Sequence, residues 1–159
     1  DRAKADGTGG PVVRTDNTRV IGGSALASDE IQPNSYVGVG AMTGADGTNP
    51  AIEVTVFPDS ARGVGEGHGP WTQGPSSTMT NGTVAQVVAT SGHPLTVTYK
   101  DGQQEIVIPD GTPITTFALA DRSALTVGAP VLARTVKAAD GSVSATFVSI
   151  GKDGYVPKG

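Results

Sequence analysis

The feature that most constrains this chain is a sequence that occurs twice. Shifted by 94 positions, residues 12–57 fall on residues 106–151 without a gap. Val13 meets Val107, Asp16 meets Asp110, Thr18 meets Thr112 and Val37 meets Val131. Ala45-Asp46-Gly47 meets Ala139-Asp140-Gly141, Ala51 meets Ala145 and Val54 meets Val148. Nine of the 46 positions are identical, and the stronger signal is phase: aliphatic residues and the Asp-Gly turn keep one register throughout. Such self-similarity implies two copies of one supersecondary unit.

The unit reads as β. Gly and Pro, 23 and 11 residues, punctuate short runs rich in Val and Thr, the pattern of brief strands joined by tight turns. Short strands are expected at 12–13 and 19–21 around a turn at Thr15-Asp16-Asn17, and further strands at 36–42 and 51–57. In the second copy they are expected at 83–88, 95–99, 105–108, 114–117, 130–136 and 143–150. One helical turn fits 26–34 and again 120–125. Six short strands without a long helix predict a small closed barrel of OB-like or Greek-key form. The fold class is therefore all-β. The expected organisation is a first barrel over 1–57, a Gly/Pro-rich connector over 58–82, and a second barrel with a tail over 83–159. The first copy lacks a counterpart of 83–88, so its barrel is short of its N-terminal strand.

Composition excludes several functions. A net charge of −4 gives no basic surface for nucleic acid. No apolar run approaches the roughly 18 residues of a membrane-spanning helix. Cysteine is absent, so thiol chemistry and disulfides are not available. The chain starts at Asp1 rather than Met, which suggests an upstream segment removed on export.

The connector holds the most distinctive residues. Glu66 and His68, with His93 further on, are the candidate metal ligands, but two histidines and no cysteine do not make a closed zinc site. The plainer role for His68 is a hydrogen bond to backbone. The glycines from Gly63 to Gly69 alternate in a spacing unlike that of a dinucleotide loop. They suit a backbone passing close to a barrel surface. Trp71 and Met79 are expected to be buried plugs rather than a ligand platform. Ser, His and Asp show no nucleophile context, and the acidic residues sit largely in Asp-Gly turns. Neither an enzyme activity nor a cofactor is expected.

Gly65-Glu66-Gly67-His68, Pro70-Trp71, the run from Ser77 to Val84, and the ending Ile150-Gly151-Lys152-Asp153-Gly154 with Val156-Pro157 resemble a family of exported bacterial proteins of unknown function. That family is sometimes labelled a metal-transporter permease. The resemblance implies a signal peptide followed by two small β-barrel repeats, and it brings no catalytic residues. The chain departs from it at Gly69 and over 1–10.

The expected function is that of a non-enzymatic structural or interaction protein, secreted or periplasmic, that self-associates. The alternative is a periplasmic module binding a small ligand or metal around His68. An open barrel exposes unpaired backbone groups along its edge. Three things could cover that edge: an upstream segment, the tail or connector of the same molecule, or a strand from a neighbour. The last would build a filament by strand complementation. The edges expected to receive it are Val12, Val13 and Arg14, or residues 51–57, with Trp71 nearby.

Overall fold

A computed structural model describes residues 2–3, 9–10, 12–44, 48–87, 94–152 and 156–157. The protein is all-β. In chain order the described strands are β1 (Arg2–Ala3), β2 (Gly9–Gly10), β3 (Val13–Leu26), β4 (Tyr36–Met42), β5 (Ala51–Phe57) and β6 (Gly67–Pro70). There follow β7 (Ser77–Gln86), β8 (Pro94–Tyr99), β9 (Gly102–Val107), β10 (Ile114–Leu119), β11 (Val131–Lys137) and β12 (Val143–Gly151). Single 3₁₀ turns lie at Ser28–Glu30, Asp59–Ala61 and Arg122–Ala124. Among the described residues no helix is long and apolar enough to cross a membrane.

The chain packs as two compact units, one of residues 25–116 and one of 1–24 with 117–159. Each takes strands from both repeats. In the contiguous unit the strand order is β10-β5-β4-β7-β8-β9. β4 pairs antiparallel with β5 and β7, β7 with β8, and β8 with β9, whereas β10 runs parallel to β5. The far end of β9 returns to the start of β5, where the Val107 amide donates to the Asn49 carbonyl at 3.2 Å. Val37, Val39, Ala41, Val54, Val84, Leu95, Val97, Ile106 and Ile114 fill the interior. They are aliphatic because strands this short alternate faces and need compact, β-branched filling on one of them.

In the other unit the order is β11-β12-β3, with β12 antiparallel to β11 and parallel to β3. β1 and β2 form a separate antiparallel hairpin. Among the described residues the buried aliphatic ones here are Val20, Ile21, Ala145, Val148 and Ile150. β3 is one strand rather than the two expected. Residues 15–18 bulge out between the Arg14–Ala145 and Arg19–Phe147 pairs, which looks like a turn in the sequence. The bulge is pinned by the Thr18 hydroxyl, which accepts from the Thr15 N–H (2.9 Å) and donates to the Ala145 carbonyl (2.5 Å).

The 94-residue shift holds strand by strand. Adding it to the 3₁₀ turn at Ser28–Glu30 gives the turn at Arg122–Ala124. Val37–Val56 and Val39–Val54 on β4 and β5 become Val131–Ile150 and Ala133–Val148 on β11 and β12. Even the register shift between Gly40 and Ala41 recurs between Arg134 and Thr135. Left-handed backbone recurs too, at Asn34 (φ 69°) and Gly128 (φ 91°), asparagine being the side chain that tolerates that region best. The parallel pairs show how the repeats share strands. Ile114–Val54 joins β10 of the second copy to β5 of the first, and Val20–Val148 joins β3 of the first to β12 of the second. Each unit thus combines the early strands of one copy with the last two of the other. The Asp46-Gly47 turn expected to match Asp140-Gly141 lies outside the described residues.

Candidate interaction edge

The connector is built onto β7. β6 pairs antiparallel with β7, placing His68 opposite Thr80 and Gly69 opposite Met79. β7 begins at Ser77, six residues before the expected strand, a start hidden in the sequence because Ser-Thr-Met-Thr carries little apolar alternation and set instead by pairing with β4 and β6. The 71–77 segment is closed by the Trp71 amide on the Ser77 carbonyl (2.9 Å) and by the Ser77 hydroxyl on the Gly74 carbonyl (2.7 Å).

Trp71 lies across β4 at Gly40. A Cβ built there would sit 2.5 Å from the indole Cζ3, so the ring can lie against the strand only because Gly40 is bare. Gly38 is covered in the same way by the Asn81 side chain and the Phe57 ring. Trp71 and Met79 are half-buried, packed on the sheet rather than displayed to solvent. Each lies on the outer surface of the sheet, where one face stays wet.

His68 is exposed, and its Nδ1 is 2.8 Å from the Thr80 hydroxyl, a side-chain partner rather than the expected backbone one. Its ring stacks on Tyr99 with centroids 6.2 Å apart. Glu66 is exposed. Its charge, after burial as the larger cause, raises the pKa of Tyr36, while Arg62 acts in the opposite direction. The Tyr36 hydroxyl donates to the Val64 carbonyl at 3.2 Å. His93 lies outside the described residues. Among the described residues no three His, Cys, Asp or Glu side chains gather as a metal site would require.

Of the edges singled out in the sequence, residues 51–57 are flanked on both sides within the chain and residues 13–14 are paired on one side. β5 has β4 on one side and β10 on the other. Val13 and Arg14 pair with Ser144 and Ala145 of β12, and Val12 is half-buried. In its unit, β11 is an open edge. It pairs with β12, and among the described residues no strand lies along its other side. Its counterpart β4 has that side filled by β7. The difference shows in burial. Val37, Val39 and Ala41 are at most 1% exposed, whereas their counterparts Val131 and Ala133 are half-buried and Thr135 is exposed. Val136 is 55% exposed.

Sequence reasoning missed this edge because it assigned each copy's strands to one barrel. The signal that could have found it was the missing counterpart of β7, followed through the strand pairing to its neighbour. Comparison with protein-family models, curated proteins and solved structures finds no match.

Proposed function

We propose that this is a non-enzymatic, exported structural or interaction protein of bacteria, which self-associates by accepting a β-strand along β11. The resemblance in the connector motifs supports the exported bacterial setting. The single observation that carries the assembly reading is the contrast between β4, flanked on both sides, and β11, flanked on one. A strand edge with unpaired N–H and C=O groups templates pairing with another chain unless something blunts it. Arg134 and Lys137 put charge on part of β11, but Val131 to Ala133 carry no such protection. Because the accepting edge and the donated strand are different surfaces, the contact is heterologous and propagates unless it closes into a ring.

The test is sedimentation over a concentration series for the native chain and two edge variants. Ala133→Lys places a charge on the inward row of β11, and Val136→Lys places one at a more exposed position. The native chain is expected to show concentration-dependent association that both variants weaken, with circular dichroism confirming that they fold. A native chain that stays monomeric at high concentration, or folded variants that associate as before, would sink the assembly reading.

A further inference from the structure

We infer that the strand β11 accepts is antiparallel, has the chemistry of β7, and takes the register that β7 takes on β4. This rests on the reading of β11 as an acceptor and goes further, by stating what docks and how. Four features of the structure lead to it.

The first is the shared register of the two hairpins. β4–β5 and β11–β12 agree pair for pair, including the irregularity after Gly40 and after Arg134. A strand that fits the far side of β4 therefore meets equivalent backbone positions on β11. The second is the pairing of β7 itself, which sets Gly82 opposite Val37, Thr80 opposite Val39 and Thr78 opposite Ala41. Carried over by 94 residues, the docked strand sets its Gly82, Thr80 and Thr78 equivalents opposite Val131, Ala133 and Thr135.

The third is the hairpin β1–β2. Moved by 94 residues, Arg2–Ala3 falls in β8 and Gly9–Gly10 in β9, and both hairpins are antiparallel. In the contiguous unit β7 is the strand that joins β4 to β8. The corresponding strand would join β11 to β1, and without it β1–β2 stands as a sheet of its own. One strand position, not a general stickiness, is what this unit lacks among its described residues.

The fourth is the partner's required chemistry. The inward residues of β7 are small or β-branched, with Thr80, Gly82 and Val84 all buried. Gly82 is needed because a Cβ there would run into the Thr98 carbonyl of β8. The outer row differs: β4 presents Gly38 and Gly40, which lie under Asn81, Phe57 and Trp71, whereas β11 presents Leu132 and Arg134. The docked strand therefore needs small residues inward and tolerates a long or acidic residue opposite Arg134, where β7 has Met79. A strand with bulky side chains on its inner row is excluded.

The absence of native cysteine makes the register directly measurable. The probe is a synthetic peptide of residues 77–86. In one form its Thr80 is replaced by cysteine, and in another its Met79. The proteins are Ala133→Cys and Arg134→Cys in the full chain. Matched pairs are 133 with 80 and 134 with 79. Adjacent antiparallel pairs alternate between the wide and the close type, so one matched combination has its Cβ atoms near enough for a disulfide. Mismatched pairs put the two thiols on opposite faces, so matched disulfide yield is expected to exceed mismatched by about tenfold or more. Unmodified peptide in excess is expected to shift any self-associated chain toward monomer.

No cross-link in any combination, or equal yield from matched and mismatched pairs, overturns the inference. If the chain associates through β11 while the peptide neither cross-links in register nor caps it, the inference fails and the assembly reading stands. If the chain stays monomeric while the peptide cross-links in register, self-association fails and the inference stands.

Discussion

Gly82→Ala probes the closest approach in the contiguous unit. Gly82 lies in the middle of β7, between Val37 of β4 and the β8 backbone. Its φ is not in the left-handed region, so alanine meets no backbone strain there. Strand propensity alone would then make the substitution stabilising by about 0.5–1 kcal/mol, the cost of glycine in a strand interior. Packing reverses the sign. The new methyl collides with the Thr98 carbonyl oxygen and comes within 2.9 Å of Val97 Cγ1, itself fully buried. The obstacle is mainly backbone, so β7 must move away from β8, and overpacking of this kind costs about 1–3 kcal/mol. The net expectation is a loss of about 1–2 kcal/mol, the clash less the propensity gain.

Gly40→Ala is the matched control, because the atoms its methyl meets belong to the Trp71 ring. That ring can swing away. The assay is urea unfolding by circular dichroism, paired with the emission of Trp71, the sole tryptophan. Gly82→Ala should lower the midpoint and leave native Trp71 emission in place. Gly40→Ala should red-shift that emission with a smaller change in midpoint. A neutral or stabilising Gly82→Ala would refute the close approach of β7 to β8.

Further outcomes follow from burial and hydrogen bonding. Ile106→Ala, at a site 1% exposed, should cost about 2–5 kcal/mol by urea unfolding, whereas Val12→Ala at the half-buried repeat position should cost far less. Tyr36→Phe removes the hydrogen bond to Val64 and should cost about 0.5–1.5 kcal/mol at neutral pH. Because the folded Tyr36 pKa is raised, the unfolded chain loses that proton first. Its contribution is complete below about pH 10 and declines as pH rises through the folded value, a decline that Tyr36→Phe should flatten in alkaline melts. The reverse sign holds for Asp121 and Asp140. Their pKa values are lowered by Ser123 and Ser142, through the backbone N–H first at Asp121 and the hydroxyl first at Asp140. Their contributions are present above the ordinary carboxylate pKa of about 4 and are lost as pH falls through the folded values, so Asp140→Ala should reduce sensitivity on the acid side.

Much of the strand pattern was legible in the residues. Tyr36–Met42 and Ala51–Phe57 stand where alternation placed them, since inward Val37, Val39 and Val54 mark one face. The turns at Ser28–Glu30 and Arg122–Ala124 were legible as short polar breaks between apolar runs, whereas the one at Asp59–Ala61 was not. The exchange of strands was not legible. A strand's alternation records that one face is buried and not which copy buries it, so Val54 reads alike beside Ile114 or beside its own repeat. β6, Gly-His-Gly-Pro, carries no β signal because its partner β7 supplies the reason for its shape. Of the connector residues, Trp71 gave itself away as a packed side chain, but its partner is a glycine, and a bare backbone patch leaves no mark in the sequence. The open edge needed the topology as well, because Val-Leu-Ala-Arg-Thr-Val-Lys looks like any other strand of this chain.

Amide hydrogen exchange across a concentration series tests the central claim most directly, because β4 and β11 are equivalent strands with different flanks. The account predicts that β4 amides exchange slowly at every concentration, since both sides are hydrogen-bonded within the chain. Alternate amides of β11, those facing away from β12, should exchange fast in dilute solution and slow as association proceeds. Uniform, concentration-independent protection along β11 in a chain shown to be monomeric would contradict it.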